Sequence, residues 1–116
     1  MRIGFTLLLN QNDSRLSPHF GKAKWIGIYD TETESMRFER NTGLNGRFVA
    51  DVLGDADCTH AVLTSIGPGA LEHLRRYGIA ALQGDADTPW PLLAKKVQSD
   101  ALPPAEASDH ERHHLH

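Results

Sequence analysis

Residues 58–74 read Cys58-Thr59-His60-Ala61-Val62-Leu63-Thr64-Ser65-Ile66-Gly67-Pro68-Gly69-Ala70-Leu71-Glu72-His73-Leu74, and the reading of this stretch decides the fold. Its first half is a nearly continuous apolar run over Cys58–Thr64, the pattern of a strand covered on both faces. Gly67-Pro68-Gly69 is tight-turn chemistry. Leu71, Leu74 and Tyr77 then fall on one helical stripe, and Gly78 stops the helix. A further short strand follows at Ile79–Leu82. A strand, a turn, a helix and a second strand make a parallel crossover unit, which belongs to an α/β sheet.

Upstream, Arg2–Leu8 reads as a buried strand, and Asn10–Pro18 is rich in turn residues. Trp25–Asp30 and Met36–Arg40 are separated by a polar turn and read as a hairpin. Asn41–Gly46 is a loop. Phe48, Val49, Val52 and Leu53 have helical spacing, with Gly54 expected to end that helix. Downstream, Thr88 is the expected N-cap of a last helix, with Pro89 at its first position and Leu92, Leu93 and Val97 on its apolar face. Pro103-Pro104 is a break, and the remainder is polar. The order β-β-β-α-β-α-β-α predicts an α/β fold with a mixed five-stranded sheet, an antiparallel meander plus parallel strands, and three helices on its faces. Residues 1–100 are read as one domain and 101–116 as a histidine-rich polar tail.

Composition limits the chemistry. The chain has 116 residues, 12 Lys+Arg and 15 Asp+Glu, for a formal net charge of −3. That length suits one domain of about 100–150 residues. The weak negative balance gives no general attraction to nucleic acid or anionic lipid. Nothing approaches the ~20 apolar residues of a membrane span, and no cleavable leader is recognisable, so a cytoplasmic location is expected. The single cysteine, Cys58, excludes an intrachain disulfide and an all-cysteine metal cage. It reads as a small buried hydrophobe. Histidine is the unusual resource: there are seven, four of them among the last seven residues.

Three places could carry function. His19 sits in the loop leaving the first strand, between Pro18 and Phe20-Gly21, where an imidazole can bind metal, move a proton or donate a hydrogen bond. The Gly67 and Gly69 turn lies at a strand's carboxyl end and opens a helix, where ligands of α/β sheets sit and free amides face anions. In the tail, Ser108 and Glu111 fit a capping box, and a helix starting there would put His110, His113 and His114 on one face, spaced to chelate a divalent metal. His60 and His73 have no special context and read as structural. No nucleophile elbow, phosphate-binding loop or zinc-protease helix is present.

Taken together, Leu16-Ser17-Pro18-His19-Phe20-Gly21-Lys22-Ala23, Ile28-Tyr29-Asp30-Thr31-Glu32-Thr33 and Ile66-Gly67-Pro68-Gly69-Ala70-Leu71-Glu72-His73-Leu74, with Gly78-Ile79 after, resemble the dinitrogenase iron–molybdenum cofactor biosynthesis family over about residues 1 to 98. The resemblance implies a three-layer α/β/α, ribonuclease-H-like fold. It also implies a cofactor carrier rather than an enzyme, binding iron–molybdenum cofactor or an iron–sulfur cluster precursor. His19 would be the residue that touches cargo, beside Phe20 and Gly21, with Gly67 and Gly69 lending amides. Partners would be metallocofactor assembly proteins or a nitrogenase-like apo-protein; nucleic acid and membrane are not expected, and homodimerisation is left open. The stretch Asn41–Gly46 departs from the family, having only two glycines where many members are glycine-rich. The tail histidines have no counterpart and inherit nothing. Two other functions compete. A nuclease would need several carboxylates on two metals, but the first strand offers Arg2, Thr6 and Asn10 and no acid. A regulatory domain sensing a small anion or a divalent metal is the alternative that the tail favours.

Overall fold

The computed structural model describes residues 1–107 of the chain. In chain order the elements are β1 (Arg2–Leu7), β2 (Trp25–Asp30), β3 (Ser35–Arg40), α1 (Gly46–Asp55), β4 (His60–Leu63), α2 (Pro68–Arg76), β5 (Ala80–Gln83) and α3 (Trp90–Gln98). The predicted order and the mixed five-stranded sheet are both found. The strands lie in the order β3-β2-β1-β4-β5. β1 pairs antiparallel with β2, and β2 with β3, while β4 joins β1 and β5 in parallel. β1 is therefore the central strand.

Alternation along the strands divides the apolar residues between two layers. Ile3, Phe5 and Leu7 of β1 and Val62 of β4 pack with Trp90, Leu93, Ala94 and Val97 of α3. On the opposite face Ile26 and Ile28 of β2 and Ala61 and Leu63 of β4 pack with Val49, Ala50 and Leu53 of α1 and Leu71 and Leu74 of α2. Helices thus cover both faces, giving three layers. Gly4 explains how closely α1 seats: a Cβ there would lie 2.5 Å from Leu53 Cδ2.

Two helix ends differ from expectation. α1 does not stop at Gly54 but runs to Asp55, and the chain turns at Asp57 with φ 58°. Gly54 is small for another reason, because the Tyr77 ring lies where its Cβ would be. α3 begins at Trp90 with Pro89 as N-cap and Pro91 in the first turn. Thr88 does not cap it; its hydroxyl donates to Asp85 Oδ2 at 2.6 Å, closing the preceding turn. Past α3, residues 103–105 run antiparallel beside β5. Gln83 N–H donates to the Pro103 carbonyl at 2.8 Å and Ala105 N–H to the Ala81 carbonyl at 2.9 Å. Ala105 is buried there, so these residues shield the outer edge of β5.

Cys58 lies between α1 and β4 and is buried, and that burial pushes its thiol up to about 11. A raised thiol contributes stability that is complete below the unfolded-state value and is lost as pH climbs toward the folded one. At pH 8 the native protein should react with a disulfide reagent orders of magnitude more slowly than the guanidinium-unfolded chain. Equal rates would show that the thiol is exposed.

Candidate functional site at the carboxyl ends of β1 and β4

The loop that leaves β1 is fastened to the loop that leaves β4. Ser17 N–H donates to the Thr6 carbonyl at 2.8 Å, so the loop folds back antiparallel beside the end of β1. Thr64 Oγ1 donates to the carbonyls of Ser17 and Pro18 at 2.8 and 3.1 Å, and Ser65 Oγ donates to that of Pro18 at 2.8 Å. Phe20 N–H donates to the Ser65 carbonyl at 3.0 Å. Ser17 Oγ donates to the His19 carbonyl at 3.2 Å, so the backbone on both sides of His19 is held. The Phe20 ring is buried in the α1–α2 layer, whereas His19 is exposed. A buried aromatic next to an exposed imidazole anchors the loop and leaves the ring free to meet a ligand.

Gly21 serves packing. A Cβ there would come 2.6 Å from the Gly46 nitrogen and 3.0 Å from the Asn45 carbonyl carbon. Asn41, itself buried, donates from Nδ2 to the carbonyls of Gly21 and Ala23 at 3.0 and 2.8 Å. Gly46 in turn admits α2, since a Cβ on it would lie 2.5 Å from the Ala70 Cβ. The stretch Asn41–Gly46 therefore joins the His19 loop to the starts of α1 and α2. Its two glycines are placed for close approach, Gly43 lying against Phe48.

Gly67 and Gly69 behave differently. Both are exposed, neither has positive φ, and a Cβ on either would meet no atom within 4 Å. Neither the fold nor the backbone demands glycine at these positions. α2 has no side-chain cap, and Leu71 N–H bonds the Gly67 carbonyl, so the amides of Gly69 and Ala70 have no helical partner. α1 is capped by Asn45, whose Oδ1 accepts from Phe48 N–H at 2.8 Å.

Between the two helix starts lies a cavity of about 490 Å³, lined in part by Gly46, Arg47, Gly69, His73 and Arg76. A cavity of about 600 Å³ lies on the other face, between α3 and the β2–β3 hairpin, and holds none of the expected site residues. His73 is not without context. Its Nε2 lies 2.7 Å from Asp51 Oδ1, and the Tyr77 hydroxyl donates to the same oxygen at 2.6 Å. The hydrogen bonds from Tyr77 and then His73 hold the Asp51 carboxyl below the usual carboxylate range. The pairing Asp51–His73 ties α1 to α2, and only the fold reveals it, because 22 residues separate the partners.

The structure thus brings His19, Phe20 and Gly21 together with the loop that leads to Gly67 and Gly69. Among the described residues no group of three or more His, Cys, Asp or Glu could hold a metal ion, so His19 is a single imidazole. Arg2 and Thr6 stand on β1, and Asn10 lies beyond its end. His110, His113 and His114 lie outside the described residues.

The family model described as dinitrogenase iron-molybdenum cofactor matches residues 2–99. No curated protein gives a significant match. Among solved structures, the apo form of the orange protein from Desulfovibrio gigas is similar at TM-score 0.82 and 22% identity, with 91% of this chain and 93% of that chain covered. The NMR structure of a Thermotoga protein, named for NifB and placed in the DUF35 family, is similar at TM-score 0.77 and 19% identity, covering 89% and 91%. At these identities the likeness speaks for the fold.

Proposed function

We propose, from the premise that the chain belongs to the dinitrogenase iron-molybdenum cofactor family, that it binds iron–molybdenum cofactor or an iron–sulfur precursor and hands it on during metallocofactor assembly. The observation that carries this reading is His19. It is an exposed imidazole on a backbone fastened to Thr64 and Ser65, which stand in the loop that leads to a helix start whose glycines face open space. His19 would supply one ligand. The amides of Gly69 and Ala70 would offset negative charge on the cargo, with Gly67 and Gly69 leaving room for it. Phe20 and Gly21 hold the loop rather than touch the cargo. Cys58 supplies no thiolate, being buried and hard to ionise.

One imidazole and a few amides make a site that releases as readily as it binds, which suits transfer and not turnover. We assign the carrier role to residues 1–100, in the cytoplasm, with assembly proteins or a nitrogenase-like apo-protein as donor and acceptor. The tail histidines His110, His113 and His114 would form a separate divalent-metal site. Among the described residues no helix is long and apolar enough to cross a membrane.

Anaerobic titration with isolated iron–molybdenum cofactor, and separately with a synthetic iron–sulfur cluster, is expected to saturate at one cluster per chain when followed at equilibrium. No saturable binding in either titration would contradict the reading.

A further inference from the structure

The groove between α1 and α2 carries more charge than a packing seam needs. Arg47 and Arg76 both line it, with Glu72 and His73 on the same wall. Arg47 is exposed and forms no ion pair among the described residues. Arg76 has only a long contact with Glu72, Nε to Oε1 3.8 Å, between side chains 72% and 57% exposed. Such a pair contributes little and leaves the guanidinium able to turn to another anion. His73 is better fixed, its side chain only 18% exposed. An ionised Asp51 can only accept, so the hydrogen between Asp51 and His73 sits on Nε2. The other ring nitrogen, Nδ1, has no partner among the described residues. A carboxylate that orients one nitrogen of an imidazole fixes the direction in which the other is offered.

We propose that this groove binds a small, multiply charged oxyanion, gripped by the guanidinium groups of Arg47 and Arg76, with His73 Nδ1 donating to it when the ring carries its second proton and is an imidazolium. Guanidinium forks match pairs of anionic oxygens, and the cavity is of the size that holds a small ligand. The anion is either free in solution or carried by the metal cargo; in the second case the inference rests on the carrier reading and names the end of the cargo that the groove receives. The shared chemistry is oxygens spaced for two guanidinium groups.

The test is a nitrogen–proton NMR titration of the full chain with citrate and with inorganic phosphate as probes. Saturable shifts are expected at Gly46, Arg47, Gly69, Ala70 and His73. The double variant Arg47→Ala/Arg76→Ala should bind at least roughly ten-fold more weakly, and His73→Gln several-fold more weakly. Lys95→Ala/Lys96→Ala removes the same charge from α3, on the opposite face, and should bind as wild type. Equal affinity in the arginine variant, or equal loss in the lysine variant, overturns the proposal. His19→Ala separates the two readings. Citrate binding retained while cluster binding is lost leaves the groove standing whatever becomes of the carrier role. Cluster binding retained in a protein that ignores both probes removes the groove alone. Weaker cluster binding by the arginine variant identifies the cargo as the source of the anion, and unchanged cluster binding identifies a free one; either supports the groove.

Discussion

Gly21→Ala is expected to destabilise the protein by about 1–3 kcal/mol, the range for forcing extra volume into a packed site. In a domain of this size the unfolding midpoint should fall by roughly 5–10 °C. The added methyl would meet the Gly46 nitrogen at 2.6 Å and the Asn45 carbonyl carbon at 3.0 Å. These are backbone atoms at the start of a capped helix, and they cannot step aside as a side chain can. Gly4→Ala makes the contrast: its obstacle is the Leu53 side chain rather than backbone. Gly67→Ala and Gly69→Ala meet nothing and should melt within about 0.5 kcal/mol of wild type, as exposed substitutions do. Thermal melts followed by circular dichroism rank the four. A Gly21→Ala protein melting like wild type would mean that the His19 loop is not seated on α1.

His19→Ala is expected to act in the opposite way, with no change in the melt and a large change in binding. The ring is exposed and is not among the buried side chains of the core, so its loss should move stability by no more than about 0.5 kcal/mol. The backbone would keep its shape, because the hydrogen bonds around it run from Ser17, Thr64 and Ser65 to main-chain oxygens and from the Phe20 amide. Cluster affinity should fall by at least about ten-fold, the lower bound measured even for groups that only orient a metal ligand. Titrations of the two proteins under the same anaerobic conditions give the ratio. An affinity unchanged within two-fold removes His19 from the account.

Much of the architecture was legible because the apolar residues follow strand and helix periods without interruption. The run Ala61-Val62-Leu63 and the stripe Leu71, Leu74 are clear of polar breaks, and both faces of the sheet are covered as such runs require. Punctuation by glycine and threonine was less reliable. Gly54 looked like a stop because glycine often ends helices, but it is small to admit Tyr77 from α2. Thr88 looked like a cap, but Asp85 three residues earlier takes its hydroxyl. Such partners are set by tertiary contact and leave no local trace.

The site divides in the same way. His19 was visible through its neighbours and through family resemblance. The lacing by Thr64 and Ser65 was not, since hydroxyls reaching across 47 residues of sequence follow no spacing. Nor were Asp51, His73 and Tyr77 visible as a cluster. His73 of α2 and Tyr77 at its C-cap are one turn apart and face α1, but Asp51 belongs to α1, and only the close approach at Gly46 and Gly54 brings the helices near enough.

Coordination of the cluster by His19 can be read by pulsed electron paramagnetic resonance. Protein labelled with nitrogen-15 histidine is loaded with a paramagnetic iron–sulfur cluster, and the coupling of the cluster to a histidine nitrogen is recorded for wild type and His19→Ala. One imidazole coupling is expected in wild type and none in the variant. The same coupling in both proteins, or none in either, would contradict that coordination.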